Sequence, residues 1–346
     1  MRMKQKKWLA LAMCMMVIWS LLASGCGGGE KSKQENKKVS LAVLKLTSSA
    51  PLFIGIEKGF FKEQGLEVEP QWFDAAHPIA VATASGKVDV GATGITASLF
   101  NMAAAGQKLS IVADKGREQK GFPSSALLVT KKMADEGKTS IADLKGKRIG
   151  ITQKGSTFHY MLGRLLESQG LTLSDVEMVP LTKVSALMAA LESGQVDAVI
   201  LNEPNITRVV TAGYGKIVAN IGDVMEYQTS GIFFSPEMMK DKDKAVRFLK
   251  GYVKATRYYY DAVLAGKQGK EADEVIAIIA KYTGAPAEEI KQGLPYIDRD
   301  GLLLEKDITT QIDWYTKNQL IEKSLDPKAV TDTTLLKQAI AELDKK

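Results

Sequence analysis

Short apolar runs alternate with longer stretches of helical periodicity over most of this chain, and the alternation occurs twice. The first round predicts strands at Val39–Leu46, Leu66–Phe73, Val88–Val90 and Leu109–Ala113, with a helix from Pro51 to about Gln64 and an alanine-rich helix before Val88. The second round predicts strands at Lys147–Thr152, Val176–Leu181, Asp197–Leu201 and Lys216–Ala219, with a helix from Ser156 to about Gln169. Apolar strands that alternate with helices imply parallel sheets covered on both faces. From Glu237 onward the strand pattern stops. Helices are expected at Lys244–Leu264, Ala272–Tyr282, Ala287–Gln292, Lys306–Asn318 and Thr334–Leu343. With no sheet of its own, this tail is expected to wrap back over the first lobe, with Tyr258, Tyr259 and Tyr260 packing against it.

The two rounds share landmarks. Gln64-Gly65-Leu66 returns as Gln169-Gly170-Leu171, and Ser85-Gly86-Lys87-Val88-Asp89 as Ser193-Gly194-Gln195-Val196-Asp197. Ala105-Gly106 returns as Ala212-Gly213, and Ile111-Val112-Ala113 as Ile217-Val218-Ala219. The separations Gly65 to Gly170, Gly86 to Gly194, Gly106 to Gly213 and Ile111 to Ile217 are 105, 108, 107 and 106 residues. Four matches in register point to a duplicated unit. Its glycines sit where helices stop. Asp89 and Asp197 occupy equivalent places, which marks them as caps of strand ends rather than a catalytic pair. The expected fold is α/β, with two doubly wound lobes, a cleft between them and a helical C-terminal region. Lobe 1 takes 39–116 and 232–346, and lobe 2 takes 117–231. The crossovers are expected near Lys115–Ser125 and Ile221–Ser235.

The N-terminus changes the compartment. Arg2, Lys4, Lys6 and Lys7 precede an apolar run from Trp8 to about Ala23 and then Leu22-Ala23-Ser24-Gly25-Cys26. That is the anatomy of a secretory signal with small residues before the cut. Residues 1–25 are read as a signal peptide. Cys26 resembles the lipid-attachment cysteine of bacterial lipoproteins, with Ala23 in place of the more usual leucine. Residues 26–38, glycine-rich and then polar, read as a flexible tether. Loss of the four signal cations takes Lys plus Arg from 46 to 42 against 40 acids, so the mature chain is nearly neutral and gives no support to nucleic-acid binding. The two cysteines are Cys14 and Cys26, which leaves the mature body without a disulfide or a thiol nucleophile.

In doubly wound sheets, ligands bind beyond the carboxyl ends of the strands, where helix N-termini converge. The duplication identifies those loops. In the first copy the candidates are Thr47, Ser48 and Ser49; Phe73 and Asp74; and Gly94, Ile95 and Thr96. In the second they are Gly155, Ser156, Thr157, Phe158 and His159, and then Asn202 and Glu203. Hydroxyls and free first-turn amides at these places favour an anionic or strongly hydrogen-bonding ligand, and Lys154 and His159 stand nearby. Trp72 and Phe73 alternate along a strand end, so only one is expected to face the cleft. A flat heterocycle stacked on Phe73, Phe158 or Tyr160 is the second possibility. His77 and His159 are the only histidines, too far apart in sequence to suggest a metal site, and no nucleophile-elbow, phosphate-loop or dinucleotide motif is present. No catalytic residue, metal or cofactor is expected.

The stretch Ala50-Pro51-Leu52-Phe53-Ile54-Gly55-Ile56-Glu57-Lys58-Gly59-Phe60-Phe61-Lys62-Glu63-Gln64-Gly65-Leu66-Glu67-Val68 is similar to the opening of the nitrate/sulfonate/taurine/thiamine-precursor family of ABC-importer solute-binding proteins. Ser85 to Gly91 and Ala142 to Gly150, followed by Gly155-Ser156, resemble two further elements of that family. The resemblance implies a type II periplasmic-binding fold that closes on its solute by a hinge and presents it to an ABC permease and its ATPase. The hydroxyl- and N–H-rich loops, with Lys154 and His159 nearby, suggest a small organic acid such as a sulfonate or taurine as ligand, and the chain is expected to be a monomer, lipid-anchored through Cys26 on the extracytoplasmic face. Glu203 departs from the pattern of sulfonate and nitrate binders. A lyase or synthase on the same fold is the rival reading from another class.

Overall fold

The computed structural model describes residues 37–345 apart from 267, 268 and 324. The signal, Cys26 and nearly all of the tether lie outside the described residues. The first strand already begins at Lys37, inside the segment expected to be tether.

The chain runs β1 (Lys37–Val43), α1 (Ala50–Glu57), β2 (Leu66–Trp72), α2 (Ala76–Ala84), β3 (Val90–Gly94), α3 (Ala97–Ala104) and β4 (Ser110–Glu118). It continues through β5 (Ser125–Thr130), α4 (Lys131–Asp135), β6 (Arg148–Ile151), α5 (Thr157–Glu167), β7 (Glu177–Pro180), α6 (Val184–Glu192), β8 (Ala198–Asn202), α7 (Asn205–Thr211), β9 (Gly215–Asn220) and α8 (Ile221–Val224). After β10 (Tyr227–Phe234) come α9 (Pro236–Lys240), α10 (Lys242–Tyr259), α11 (Lys270–Thr283), α12 (Ala287–Gln292), α13 (Glu305–Lys317) and α14 (Thr334–Asp344).

The strands form two five-stranded sheets, ordered β2-β1-β3-β10-β4 and β7-β6-β8-β5-β9. The expected parallel core is present, since β1 pairs in parallel with β2 and β3, and β6 with β7 and β8. The all-parallel expectation is corrected in one respect. The fifth strand of each sheet is antiparallel: β10 lies between β3 and β4, and β5 between β8 and β9. β10 lies within the segment expected to be the second crossover, and β5 begins where the first expected crossover ends and was given no element. Each follows one copy of the repeat and joins the sheet of the other copy, so the chain passes between the sheets at Glu118–Ser125 and again at Asn220–Tyr227.

The repeat landmarks have a backbone cause. Gly65 and Gly170 have φ of 67° and 70°, Gly86 and Gly194 both 73°, and Gly106 and Gly213 84° and 79°. All six end a helix or turn in the left-handed region, where a Cβ would be strained. Asp89 Oδ2 accepts from Ser40 N–H at 2.9 Å, and Asp197 Oδ2 accepts from Arg148 N–H at 2.9 Å. The two aspartates tie equivalent strands together, as their matched positions suggested.

The tail divides. Helices α10, α11, α12 and α14 pack on the first sheet, where Phe248, Leu249, Tyr252, Tyr259 and Leu336 join the core of Val39, Leu41 and Ile232. Tyr258 and Tyr259 pack on that lobe as expected, with the Tyr259 hydroxyl donating to Pro295 C=O at 2.8 Å. Helix α13 bridges the lobes. Its Tyr315 ring is tilted against Phe100 of α3 and its Gln311 Nε2 donates to Gln228 C=O of β10 at 2.9 Å, while Ile308, Ile312, Trp314 and Tyr315 also share a core with Tyr160, Leu162 and Leu166 of α5. A Cβ on Gly163 would stand 2.2 Å from the Trp314 ring, so this glycine is what lets the indole lie against α5. Trp314 Nε1–H also donates to Glu167 Oε1 at 3.1 Å.

Candidate functional site

Between the sheets lies a cleft enclosing about 690 Å³, its open mouth included. Leu44 and Leu46 reach it from the end of β1, Asp74 from the end of β2 and Gly94 from β3. Thr152, Val184 and Asn202 reach it from the ends of β6, β7 and β8. These are the carboxyl ends of the parallel strands, where a doubly wound sheet places its ligand. The two rims touch: Thr47 N–H donates to Glu203 C=O at 3.4 Å, and Ala97 N–H to Gly155 C=O at 2.9 Å. A Cβ on Gly94 would lie 2.6 Å from Thr157 Cγ2, so the absence of a side chain lets the lobes come this close.

All five expected loops contribute to the cleft wall, through Ser48, Asp74, Gly94, Ser156, Thr157, Phe158 and Asn202. The other candidates do different work. Ser49 Oγ donates to Leu44 C=O at 2.9 Å, and Thr47 makes the rim contact just described. Ile95 is core, and Thr96, 1% exposed, bonds to Ser98 at 2.9 Å. Gly155, at φ 76°, donates its N–H to His159 Nδ1 at 2.9 Å. His159 is buried edge-on against Trp314 rather than solvated or facing the cleft. Burial, with Lys154 nearby, pushes its imidazole down to about 4, so it is neutral and supplies no charge.

Glu203 turns away from the cleft. Its carboxylate accepts from Thr207 N–H at 3.1 Å and Thr207 Oγ1 at 2.9 Å, and it packs on Gly293, whose Cβ would fall 2.2 Å from Glu203 Cγ. Burial raises it above the usual carboxylate range. Tyr160 is fully buried, stacked on Tyr227 at 4.6 Å, and offers no face to a heterocycle. β2 ends at Trp72, so the alternation lapses there. Trp72 and Phe73 both border an outer compartment rather than the cleft itself.

The residue that sequence reasoning missed is Lys115. It lies in the cleft wall, 1% exposed, and its Nζ donates to Ser48 Oγ at 2.9 Å. Ser48 takes one of the ammonium's three donors. Burial pushes Lys115 down to about 7, opposed by the Asp114 carboxylate beside it. Asp114 is committed elsewhere: it accepts from Gly116 N–H, Asp298 N–H and Gln228 Nε2 at 2.7, 2.7 and 2.6 Å. Burial raises Asp114 to about 6 and Glu118 to about 7. Glu118 accepts from the Ser125 and Thr229 hydroxyls, while Asn202 Nδ2 donates to Ser125 Oγ at 2.7 Å. Gly116, at φ 147°, sits where the β4–β10 register shifts, opposite Ser230.

First turns of three helices border the same space: Ala76 of α2, Thr157 and Phe158 of α5, and Val184 of α6. Neither Ala75 nor Lys183, which precede α2 and α6, caps its helix with a side chain. Helix N-termini carry a partial positive charge, so the cleft combines the buried Lys115, three such ends and hydroxyls from both lobes with one acidic side chain, Asp74, at its wall. Among the described residues no group of three His, Cys, Asp or Glu is placed to hold a metal ion.

This geometry matches known proteins. The NMT1-like family profile covers residues 32–280. The chain belongs to the NMT1-like family. A relative from Bacillus subtilis (strain 168), named a putative aliphatic sulfonates-binding protein, is 25% identical over 343 residues, 96% of this chain and 97% of its own. The nitrate-binding protein NrtA from Synechocystis superposes with a TM-score of 0.75 at 15% identity, over 90% of each chain. The alkanesulfonate-binding protein SsuA from Xanthomonas axonopodis pv. citri, bound to MOPS, gives 0.69 at 22%, covering 86% of this chain and 98% of that one. The fold is therefore that of type II periplasmic-binding proteins, with a helical C-terminal region. It is not confined to binders, since the desulfurization enzyme DSZB gives 0.64 at 16%, covering 89% of this chain and 99% of that one. No helix among the described residues is long and apolar enough to cross a membrane.

Proposed function

We propose that this NMT1-like protein is the extracytoplasmic solute-binding component of an ABC importer and captures a small organic anion, a sulfonate first among candidates. The observation that carries the reading is Lys115: a buried ammonium in the cleft wall, with uncapped helix ends and hydroxyls around the same space. An anion there replaces water at groups already aimed inward, so little reorganisation is needed. The similarity to a sulfonate-binding and a nitrate-binding protein supports the same class. The expected cation beside the cleft is thus Lys115 rather than Lys154 or His159. The heterocycle reading loses two of its three stacking faces, because Tyr160 is core and Phe73 lies outside the deep cleft, and the third, Phe158 in the cleft wall, is only 3% exposed.

Binding is read as hinged closure of the lobes about Glu118–Ser125 and Asn220–Tyr227, with presentation to a permease. Anchoring is read as lipidation of Cys26. Thermal-shift screening against sulfonates, carboxylates, nitrate and pyrimidines tests the ligand class. A true ligand at about a hundred times its Kd stabilises by roughly 2.7 kcal/mol. The expected result is a shift with sulfonates. A shift confined to heterocycles or cations would overturn the anion reading.

A further inference from the structure

Glu118 is fully buried at the end of β4 and stands behind the cleft wall rather than in it. The donors that meet it are neutral: Ser125 N–H at 3.2 Å, the Ser125 hydroxyl, and the Thr229 hydroxyl at 3.2 Å. A carboxylate only accepts, so it dictates which way its neighbours' protons point. Ser125 faces Asn202 across the β5–β8 pair. A serine has one proton, and Ser125 gives it to Glu118. Toward Asn202 it can only accept, so the amide must turn its nitrogen inward, and Nδ2–H donates to Ser125 Oγ at 2.7 Å. A proton on Glu118 leaves this arrangement intact, because it can be donated to Thr229 Oγ1, whose own hydroxyl also reaches Tyr227 C=O at 3.3 Å. The Asn202 carbonyl oxygen is not a buried orphan, accepts no hydrogen bond from the described residues, and belongs to a residue of the cleft wall. It is an acceptor open to the cleft, where Asp74 is another.

We propose that Glu118 is a positioning residue for specificity: through Ser125 it holds the Asn202 carbonyl toward the solute, which favours an organic anion carrying its own O–H or N–H donor over an anion that has none. Lys115 and the helix ends answer the acidic group, and Asn202 and Asp74 answer the donor. An anion without a donor strands the Asn202 oxygen once water is displaced, and an unpaired buried acceptor is costly. The inference rests on the anion reading above and adds a requirement to it.

The test is titration calorimetry of the purified protein with isethionate and 1-propanesulfonate, which differ by a hydroxyl in place of a terminal methyl. The wild type is expected to favour isethionate by about tenfold. Glu118→Gln keeps the shape and reverses the relay. With its oxygen on Ser125 N–H, its nitrogen donates to Ser125 Oγ, the serine proton turns to Asn202, and the amide flips to present nitrogen. The preference should then largely vanish, with 1-propanesulfonate bound more tightly than by the wild type. In an Asn202→Ala background the same substitution should change the ratio by less than about twofold. Ser125→Ala breaks the relay without touching the carboxyl and should also erase the preference, which keeps the test valid if Glu118→Gln fails to fold. Equal wild-type affinities, or an undiminished Glu118→Gln effect in the Asn202→Ala background, overturns the positioning role and leaves the anion reading standing. If neither sulfonate binds, the anion reading falls and side-chain amide exchange in ¹⁵N-labelled protein decides the relay. One Asn202 Nδ2 proton should exchange at least about tenfold more slowly than its twin and lose that protection in Ser125→Ala, and equal exchange of the twins in the wild type overturns it.

Discussion

The two lobes are built from one repeated pattern, yet they do not carry the same chemistry. Their glycines, aspartate ties and strand orders correspond almost residue for residue. The difference lies at the end of the fourth strand. In the first lobe β4 runs on through Asp114-Lys115-Gly116-Arg117-Glu118, paired with β10, and carries a lysine into the cleft wall. By the 106-residue offset the counterpart of Lys115 is Ile221, a fully buried residue that opens α8. Lobe 1 thus contributes the charged side chains, Lys115 and Asp74. Lobe 2 contributes hydroxyls, an amide and the N-termini of α5 and α6. A duplicated scaffold fixes where a ligand sits, and a short asymmetric extension decides what sign of ligand it suits.

Removing the asymmetry should have the largest effect. Lys115→Met should weaken sulfonate binding by about a hundredfold or more, since loss of one partner of a buried charge pair costs roughly 2–5 kcal/mol. Titration calorimetry checks it, and near-normal affinity would return the two lobes to equal standing. Trp314 tests how firmly α13 is held against α5 of the second lobe. Gly163→Ala, which forces a Cβ against that indole, should lower stability by about 1–3 kcal/mol in urea denaturation.

A pH series sharpens the comparison further. The Lys115 ammonium has its midpoint at about 7, so sulfonate affinity should be greatest below that pH and fall by up to about tenfold per pH unit above it. Protonation of Asp114 and Glu118, raised to about 6 and 7, removes neighbouring negative charge on the acid side and reinforces the same sign. Folding runs the other way. The folded-state value for Lys115 is depressed from 10.5, so the unfolded chain holds the extra proton between about 7 and 10.5, and this group's contribution to stability rises with pH across that window. A binding isotherm unchanged between pH 6 and 9 would remove Lys115 from the site.

The smallest effects probe the equivalence itself. Asp89→Asn and Asp197→Asn should each cost roughly 1 kcal/mol. Asp89 should cost more, because it also accepts from Lys244 Nζ at 2.8 Å in a largely buried pair, whereas the Arg148 side chain paired with Asp197 is 41% exposed. Both carboxyls sit below their ordinary range, so both contributions should persist at neutral pH and fade as the solution is acidified through the carboxylate range. Equal losses in thermal melts would show that the tie to α10 adds nothing. Ser156→Ala should cost about 1 kcal/mol, since its hydroxyl caps α5 by accepting from His159 N–H at 3.2 Å.

Much of the scaffold was legible because its signals are local. Strand runs, helix stops and the glycine landmarks follow from side-chain size and backbone freedom within a few residues, and the repeat doubled each signal. β4 beyond Ala113 and β10 escaped for the opposite reason. A run such as Asp-Lys-Gly-Arg-Glu reads as a polar crossover, and only pairing across more than a hundred residues makes it a strand. Among the site loops, position was readable but direction was not: Ser48 faces the cleft, while Thr47 and Ser49 on either side of it bond to backbone. His159 and Glu203 looked like ligand groups by type, yet tertiary packing turned one against Trp314 and the other onto Gly293.

The sequence by itself determined the duplicated α/β unit and the strand ends that face each other. Those properties rest on periodicity, on composition and on glycines that no other residue replaces cheaply. Only the tertiary structure decided that each sheet takes a strand lying beyond its own repeat, that α13 packs against both lobes, and that Lys115 rather than a histidine or Lys154 supplies the cleft's cation. The reason is physical: burial and long-range pairing set which polar group is charged and where it points, and neither is encoded in any short window of residues.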